Sequence, residues 1–389
     1  MKDAGLIFLH MYNNFGSKPV LVVGAGPAGS SCAWKLASGG VRCILADKSL
    51  FPRDKVCGGV LGSRGESVLL ESGLLTADEL EDLTLAEYRG FSLWHRDVHL
   101  RTHFSEKHSI RMVSRSDFDK AMLDKAADAG ARIETGTGIK EISTNEAITF
   151  SGEKLPFYAV VGADGCGSVV SRVLPDTRGR NTGIGFCYSV PRSGMDELPQ
   201  LPEIHFGDIP YGYIWVFPDS DKVNIGAGAI GSPAAPSDVI GALGSYLKDL
   251  NVSEEGLQIK GASIPSLSIS ETMGQDNIYL AGDAAGLVDQ VSGEGICYAL
   301  QSGLAVAECL LEGGDREIIR NRMRESMGIL KQSVFYRHLL YGRLIRKLAM
   351  TGLRDSGAFA REYWNIVAGR QSYNGMFRKL LDLDFGRGP

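Results

Sequence analysis

The chain has 389 residues, of which 44 % are hydrophobic and 22 % charged, with a formal net charge of −5. That length exceeds what one core needs and the composition is that of a soluble globular protein, so two closely packed domains are expected, and the mild charge argues against nucleic acid as a partner. The seven cysteines, at 32, 43, 57, 166, 187, 297 and 309, form no CxxC pair, which argues against a structural zinc site or a dense disulfide framework and fits a reduced, cytoplasmic setting.

Residues 1–18 read as an N-terminal extension. Their apolar run is short, is broken by His10 and lacks a small-residue cleavage pattern, so it does not read as a signal peptide, and Met11 offers an alternative start. Nowhere does the chain reach the ~18 uninterrupted apolar residues of a membrane-spanning helix.

Pro19–Val23 is a valine-rich run followed at once by the segment GAGPAG. A helical stretch over Ser30–Ala37, a Gly-Gly stop and a second apolar run, Val41–Ala46, end at Asp47. This is the opening of a βαβ unit. Gly24 permits the tight turn, Gly26 lets the backbone approach a pyrophosphate across Pro27 and Ala28, and Gly29 lets helix and strand pack closely. The helix start supplies free amides and a positive dipole end. Asp47, followed by Lys48, stands where a ribose hydroxyl would donate to it. Strand, glycines, helix and acid in that order point to a bound dinucleotide.

Beyond a loop containing Pro52, Cys57, Gly58 and Gly59 the sequence predicts helices near Gly65–Leu75 and Ala77–Leu83. Strands follow from Tyr88 to Met112, then a helix over Phe118–Ala129 and a strand over Ala131–Thr135. His95, His99 and His103 are spaced by four, but they fall in the strand segment among charged residues, so they read as solvated surface and no metal site is expected. From about 180 to 270 the pattern alternates as in an antiparallel sheet with one covered face, with one helix at Asp238–Leu250. Gly226–Gly231 also spells GxGxxG, yet Pro233 and Pro236 follow and no helix opens there; it reads as strand and turn, so a dedicated NAD(P)H domain is not expected. The chain then returns to the first domain through a strand, Asn277–Ala281, and a helix from about Gly295 to Leu311.

The fold class that results is α/β (α+β overall). A discontinuous, Rossmann-type cofactor domain is expected over 19–87, 113–180 and 270–312. A substrate-binding antiparallel sheet is inserted as 88–112 and 181–269, and a helical region covers 313–389. Between Arg316 and Arg354 stand ten basic residues and only two acidic ones, Glu317 and Glu325, so this stretch carries +8 and the remainder −13. Ile318, Ile319, Ile329, Leu330, Phe335, Leu339, Leu340, Leu344, Ile345 and Leu348 are interleaved with them. A basic amphipathic helix lying on the inner face of an anionic membrane has this pattern, and so does a packed helix with a charged outer face.

In Val160–Arg172 and in Ile278–Gly286 an apolar strand ends in an acid beside a glycine, the pairs Asp164-Gly165 and Gly282-Asp283. With the glycine turn, these segments resemble the FAD-dependent group typified by para-hydroxybenzoate hydroxylase, over residues 19 to about 310. The resemblance implies FAD as cofactor, Asp283 on its ribityl chain and Arg115, in SRSDFDKAML, helping to position the flavin. Three further segments narrow the match: Pro52–Gly59 (PRDKVCGG), Tyr213–Pro218 (YIWVFP) and Gly282–Ile296. Together they look like the geranylgeranyl reductase family, which saturates isoprenoid double bonds. By that resemblance Arg53, Cys57, Gly58 and Gly59 lie near the flavin ring, with Gly293, Gly295 and Ile296, and Tyr213, Trp215, Phe217 and Pro218 line the substrate cavity. The WxWxIP pattern of flavin halogenases is not met. Asp219 stands where the family's motif often continues with a lysine.

Tyr213, Trp215 and Phe217 alternate along one side of a strand, an aromatic wall for an uncharged chain or a stripe of core. The amides at Gly295 would stabilise an anionic reduced flavin. An isolated alkene needs a proton as well as a hydride, and Cys57 is a candidate donor, a redox partner for Cys297, or simply a packed thiol. The expected function is therefore FAD-dependent saturation of a geranylgeranyl chain on a lipid, diphosphate or quinone, with ferredoxin or NADPH as electron donor. An NAD(P)H- and oxygen-dependent hydroxylase and a flavoprotein carrying electrons to quinone are the alternatives.

Overall fold

The computed structural model describes residues 18–175, 181–195, 199–231, 234–266, 269–341 and 358–385. The N-terminal extension up to residue 17 and Arg343, Leu344, Ile345, Arg346, Lys347, Leu348 and Arg354 lie outside them.

Strands Val20–Val23, Cys43–Asp47 and Ala159–Gly162 are buried at every position, as a sheet covered on both faces requires. They form the middle of a six-stranded sheet. Its order is Gly274–Gln275, Ile278–Leu280, Ala159–Gly162, Val20–Val23, Cys43–Asp47, Arg132–Thr135; all neighbours are parallel except the first pair. The helices Pro27–Ser38, Arg115–Asp128 and Ile296–Leu311 pack together beside it. The first begins three residues earlier than its periodicity indicates, because Pro27 occupies the first helical position, where its fixed φ is suited and no amide is missed. The second also begins earlier, capped by the Ser114 side chain, which puts Arg115 in its first turn.

A seven-stranded sheet stands beside the first, ordered Lys260–Ser266, Asn181–Pro191, Lys222–Ala229, Gly212–Pro218, Glu203–Phe206, Gly90–His95, Val98–Phe104. One face packs on Val239, Leu243 and Leu247 of the helix Pro236–Asp249. The other meets the helix Ala358–Val367, whose Trp364 stacks on Phe91 at 5.4 Å and 11°. Ile110–Val113, within the stretch expected in this sheet, instead pairs with Val60–Gly62 and Thr84–Tyr88 in a three-stranded sheet of its own.

Of the two readings for the basic C-terminal stretch, Arg316–Tyr341 takes the packed one. Ile319, Met323, Ile329, Leu330 and Tyr341 are buried, while Arg320 and Arg322 project outward. Among the described residues no helix is long and apolar enough to cross a membrane.

Candidate active site

A continuous cavity of about 640 Å³ runs from the glycine turn of the first sheet to the C-terminal helices beside the second. At one end it is lined chiefly by backbone. Gly24 has φ +100°, and a Cβ there would lie 2.3 Å from Ala163 O; a Cβ on Gly29 would lie 1.7 Å from Gly24 O. No side chain caps the helix that follows and its first turn holds no acid, so its amides and dipole are open to an anion. Asp47 accepts from Ala25 N at 2.7 Å and Ser49 N at 2.8 Å, which fixes the turn while leaving lone pairs toward the cavity. Lys48 and Arg53 line the same end.

Asp164 accepts from Val169 N at 2.6 Å through one oxygen, while Oδ1 is buried with no partner. Burial pushes its carboxyl above the ordinary range, only partly offset by Ser168 and Val169. Asp283 also faces the cavity. Burial raises its pKa too, against the pull of Lys55 and Arg115. A buried acceptor without a donor is costly, so the free Asp164 oxygen, with Asp283 on the same cavity wall, suits a ligand rich in hydroxyls.

Arg115 lines the middle of the cavity and grips Asp119 with two hydrogen bonds of 2.8 Å. Arg53 reaches the same carboxylate at 3.0 Å. Burial alone would weaken the Arg115 charge; Asp119 outweighs it and holds the guanidinium above its usual pKa. The sequence reading passed over Asp119, although it follows Arg115 at the (i, i+4) spacing of a helical ion pair.

The other end is built of side chains. Tyr213, Trp215 and Phe217 face the cavity, while Ile214 and Val216 of the same strand face the helix Pro236–Asp249. Pro218, expected with the aromatic residues, falls on the opposite parity and is not among the lining residues, since side chains alternate along a strand. The indole of Trp215 rests on the neighbouring strand, where a Cβ at Gly226 would come within 2.2 Å of it; close approach to an aromatic ring accounts for that glycine of the second GxGxxG. Tyr341, Tyr363, Trp364 and Val367 close the same end from the C-terminal helices, a contribution the basic pattern of that region concealed.

Cys57 stands at the junction. Its sulfur accepts from Gly59 N at 3.4 Å and lies beside Arg115, and Gly58 sits under Phe217. Trp215 Nε1 donates to Asn224 Oδ1 at 2.7 Å, and Asn224 Nδ2 donates to Cys57 O at 3.3 Å. The thiol that neighbours Cys57 across Asn224 is Cys187. Cys297, named as its partner from sequence, points instead toward Gly65, Glu294 and Arg64 and does not line the cavity. Gly29, Gly59 and Gly282 likewise shape the walls from behind, whereas Gly26, Pro27, Ala28, Gly58, Gly165, Gly293, Gly295 and Ile296 line it. The histidines lie apart: His99 meets Trp94 and Thr102, and His103 meets Phe91.

The uncapped helix start, the unpartnered Asp164 oxygen and the adjoining basic side chains fit a dinucleotide. Comparison with known proteins agrees. A family described as "FAD binding domain" matches residues 17–189. Geranylgeranyl diphosphate reductase of Rhodobacter capsulatus is 31 % identical over 304 residues, covering 75 % of this chain and 74 % of its own. Menaquinone reductase of Mycolicibacterium smegmatis is 29 % identical over 324 residues and 76 % of each chain. Among solved structures, a geranylgeranyl bacteriochlorophyll reductase-like protein of Thermoplasma acidophilum superposes with TM-score 0.70 over 94 % of this chain and 99 % of its own; at 21 % identity that likeness speaks for the fold.

Proposed function

The chain belongs to the geranylgeranyl reductase family of FAD-dependent oxidoreductases, and we propose that its reaction saturates isolated C=C bonds of an isoprenoid chain carried on a lipid, a diphosphate or a quinone. The observation that carries this reading is the gathering of Tyr213, Trp215, Phe217, Tyr341, Tyr363 and Trp364 at one end of the cavity whose other end suits FAD. An uncharged chain gains about 25 cal/mol for each Å² it buries against such walls, and the rings exclude water from the reacting carbons. Bound FAD supplies the two electrons, as a hydride equivalent.

The protein's own contribution is placement and electrostatics. The amides after Gly26 would take the pyrophosphate and Asp47 the adenosine ribose. Asp164 and Asp283 would accept from sugar and ribityl hydroxyls. Arg115, locked by Asp119, would brace the flavin, with Cys57 and Gly58 on the same cavity wall. The amides at Gly295 and Ile296, opening a helix of 16 residues on the cavity wall, would lower the cost of negative charge on a reduced flavin. The electron donor is a separate molecule, ferredoxin or NADPH, and the outward-facing Arg320 and Arg322 of the packed helix are the surface offered to an anionic membrane; sedimentation with anionic rather than neutral liposomes at low salt is expected.

The decisive assay is anaerobic. FAD-loaded protein reduced with dithionite is mixed in parallel with geranylgeranyl diphosphate, an unsaturated glycerolipid and menaquinone, and mass spectrometry follows gains of paired hydrogens. A gain on any of them supports the reading and ranks the headgroups. No gain, with oxygen uptake in step with substrate once air is admitted, replaces it with a hydroxylase.

A further inference from the structure

Saturating an alkene takes a proton as well as a hydride, and the proton must come from a group that faces the aromatic end of the cavity. We propose that Glu294 is that group, a carboxyl that protonates the double bond; the inference rests on the saturation reading above.

Two of the phenols at this end are committed elsewhere, and a third, Tyr363, is held by burial well above a phenol's ordinary pKa. Tyr213 Oη donates to Ser292 O at 2.5 Å and Tyr341 Oη to Val291 O at 2.9 Å, and burial holds both phenols above their ordinary pKa. Asp289, one turn of loop away, accepts from Val291 N, Ser292 N and Tyr373 Oη and does not line the cavity. Asp283 lies toward Lys55 and Arg115. Glu294 differs from all of these. It lines the cavity, and its carboxyl takes no hydrogen bond and no ion pair among the described residues, although a carboxyl so placed would ordinarily find one. Its loop is nonetheless held firmly: Asp289 N donates to Glu294 O at 2.9 Å, Glu294 N donates to Ser292 Oγ at 3.3 Å, and the Tyr213 hydroxyl locks the peptide between them. The first ring of the aromatic wall thus touches the loop that presents the acid.

The surroundings suit proton delivery near neutrality. The charged and titratable groups facing Glu294 are Arg64 from the helix Ser63–Ser72, Asp289 from its own loop, and Cys297 and Tyr298 from the helix Ile296–Leu311. Burial and Asp289 raise its pKa while Arg64 lowers it, and the balance is about 7. Arg64 does not cancel the effect, because it stands too far off for an ion pair and spends a hydrogen bond on Tyr298 Oη at 3.4 Å.

The step balances. With bound, reduced FAD supplying a hydride equivalent (two electrons and one hydrogen) to one alkene carbon, the π pair would bind the Glu294 proton at the other. Two C–H bonds would replace the C=C π bond, the two electrons coming from the cofactor, and Glu294 would be left as carboxylate, which water reprotonates.

Three measurements on FAD-loaded protein test this. Infrared difference spectra of ¹³C-glutamate-labelled protein should show a protonated carboxyl band that fades as pH rises through about 7 and is missing in Glu294→Gln. That variant, with flavin content and rate of flavin reduction unchanged, should saturate the alkene at least ~100-fold more slowly and lose the fall in rate above neutrality. Glu294→Asp should restore part of the rate. Wild-type product formation with an undiminished E294Q rate overturns the donor role and leaves the saturation reading standing. Equal inactivity of E294Q and E294D, both with flavin intact, also overturns it, as does a carboxyl band that does not titrate between pH 5 and 9. A wild-type protein that saturates none of the substrates overturns both.

Discussion

The two ends of the cavity are made differently. At the dinucleotide end the ligand-facing surface is mostly main chain: a turn at Gly24 and the open start of the helix Pro27–Ser38, fixed by local sequence. At the aromatic end it is made of side chains from strands and helices far apart in the chain, such as Phe91, Trp215 and Trp364. A main-chain site is intolerant of any added atom, whereas a side-chain site can vary its lining and hence its substrate. Four substitutions can break or sharpen that contrast.

The largest effect is expected from Gly24→Val. The added side chain meets Ala163 O at 2.3 Å and demands a left-handed backbone, so the variant should retain no flavin after gel filtration, or fail to fold. Trp364→Ala removes a fully buried ring and should cost about 3–5 kcal/mol in urea unfolding, while the flavin of the folded fraction stays bound. Loss of flavin there would mean that the two ends are not separable. Asp119→Asn strips the carboxylate from two arginines and should cost about 3 kcal/mol, weakening flavin affinity and turnover together because Arg115 and Arg53 both lean on it. Smallest is Cys57→Ser, which should leave stability and FAD content within about 0.5 kcal/mol of wild type and lower turnover several-fold; unchanged turnover removes Cys57 from the mechanism.

The same contrast explains what the sequence disclosed. Gly24, Gly26, Asp47 and Asp283 were legible because fixed spacing after a strand determines where such residues lie. The wall of Tyr213, Trp215 and Phe217 was legible from alternation, but its far side was not. Tyr363 and Trp364 sit in REYW, and nothing local says that a helix from the last tenth of the chain folds back onto Phe91. Asn224 was hidden for a related reason, since its tie between Trp215 and the Cys57 carbonyl depends on cross-strand register with Phe217. Asp119 and Glu294 were readable in principle, the first from its spacing to Arg115, the second as the lone acid in SGEG. Only its place on the cavity wall and the lack of a partner distinguish Glu294 from a surface charge. Cys187 displaced Cys297 as the neighbour of Cys57 because thiol proximity follows sheet geometry rather than the order of motifs.

The cofactor sheet is completed late. Ile278–Leu280 pairs beside Ala159–Gly162, yet it is made only after five intervening strands of the antiparallel sheet. On a ribosome adding roughly 5–20 residues per second, the interval is on the order of 6–25 s. Throughout it the edge of Ala159–Gly162 lacks this partner, and neither Asp283 nor the helix opening at Gly295, both on the cavity wall, has been made. Capture of the cofactor is therefore a late event in the life of the nascent chain, and shortage of flavin in the cell should show first as aggregation of newly made protein rather than as loss of activity from molecules already folded.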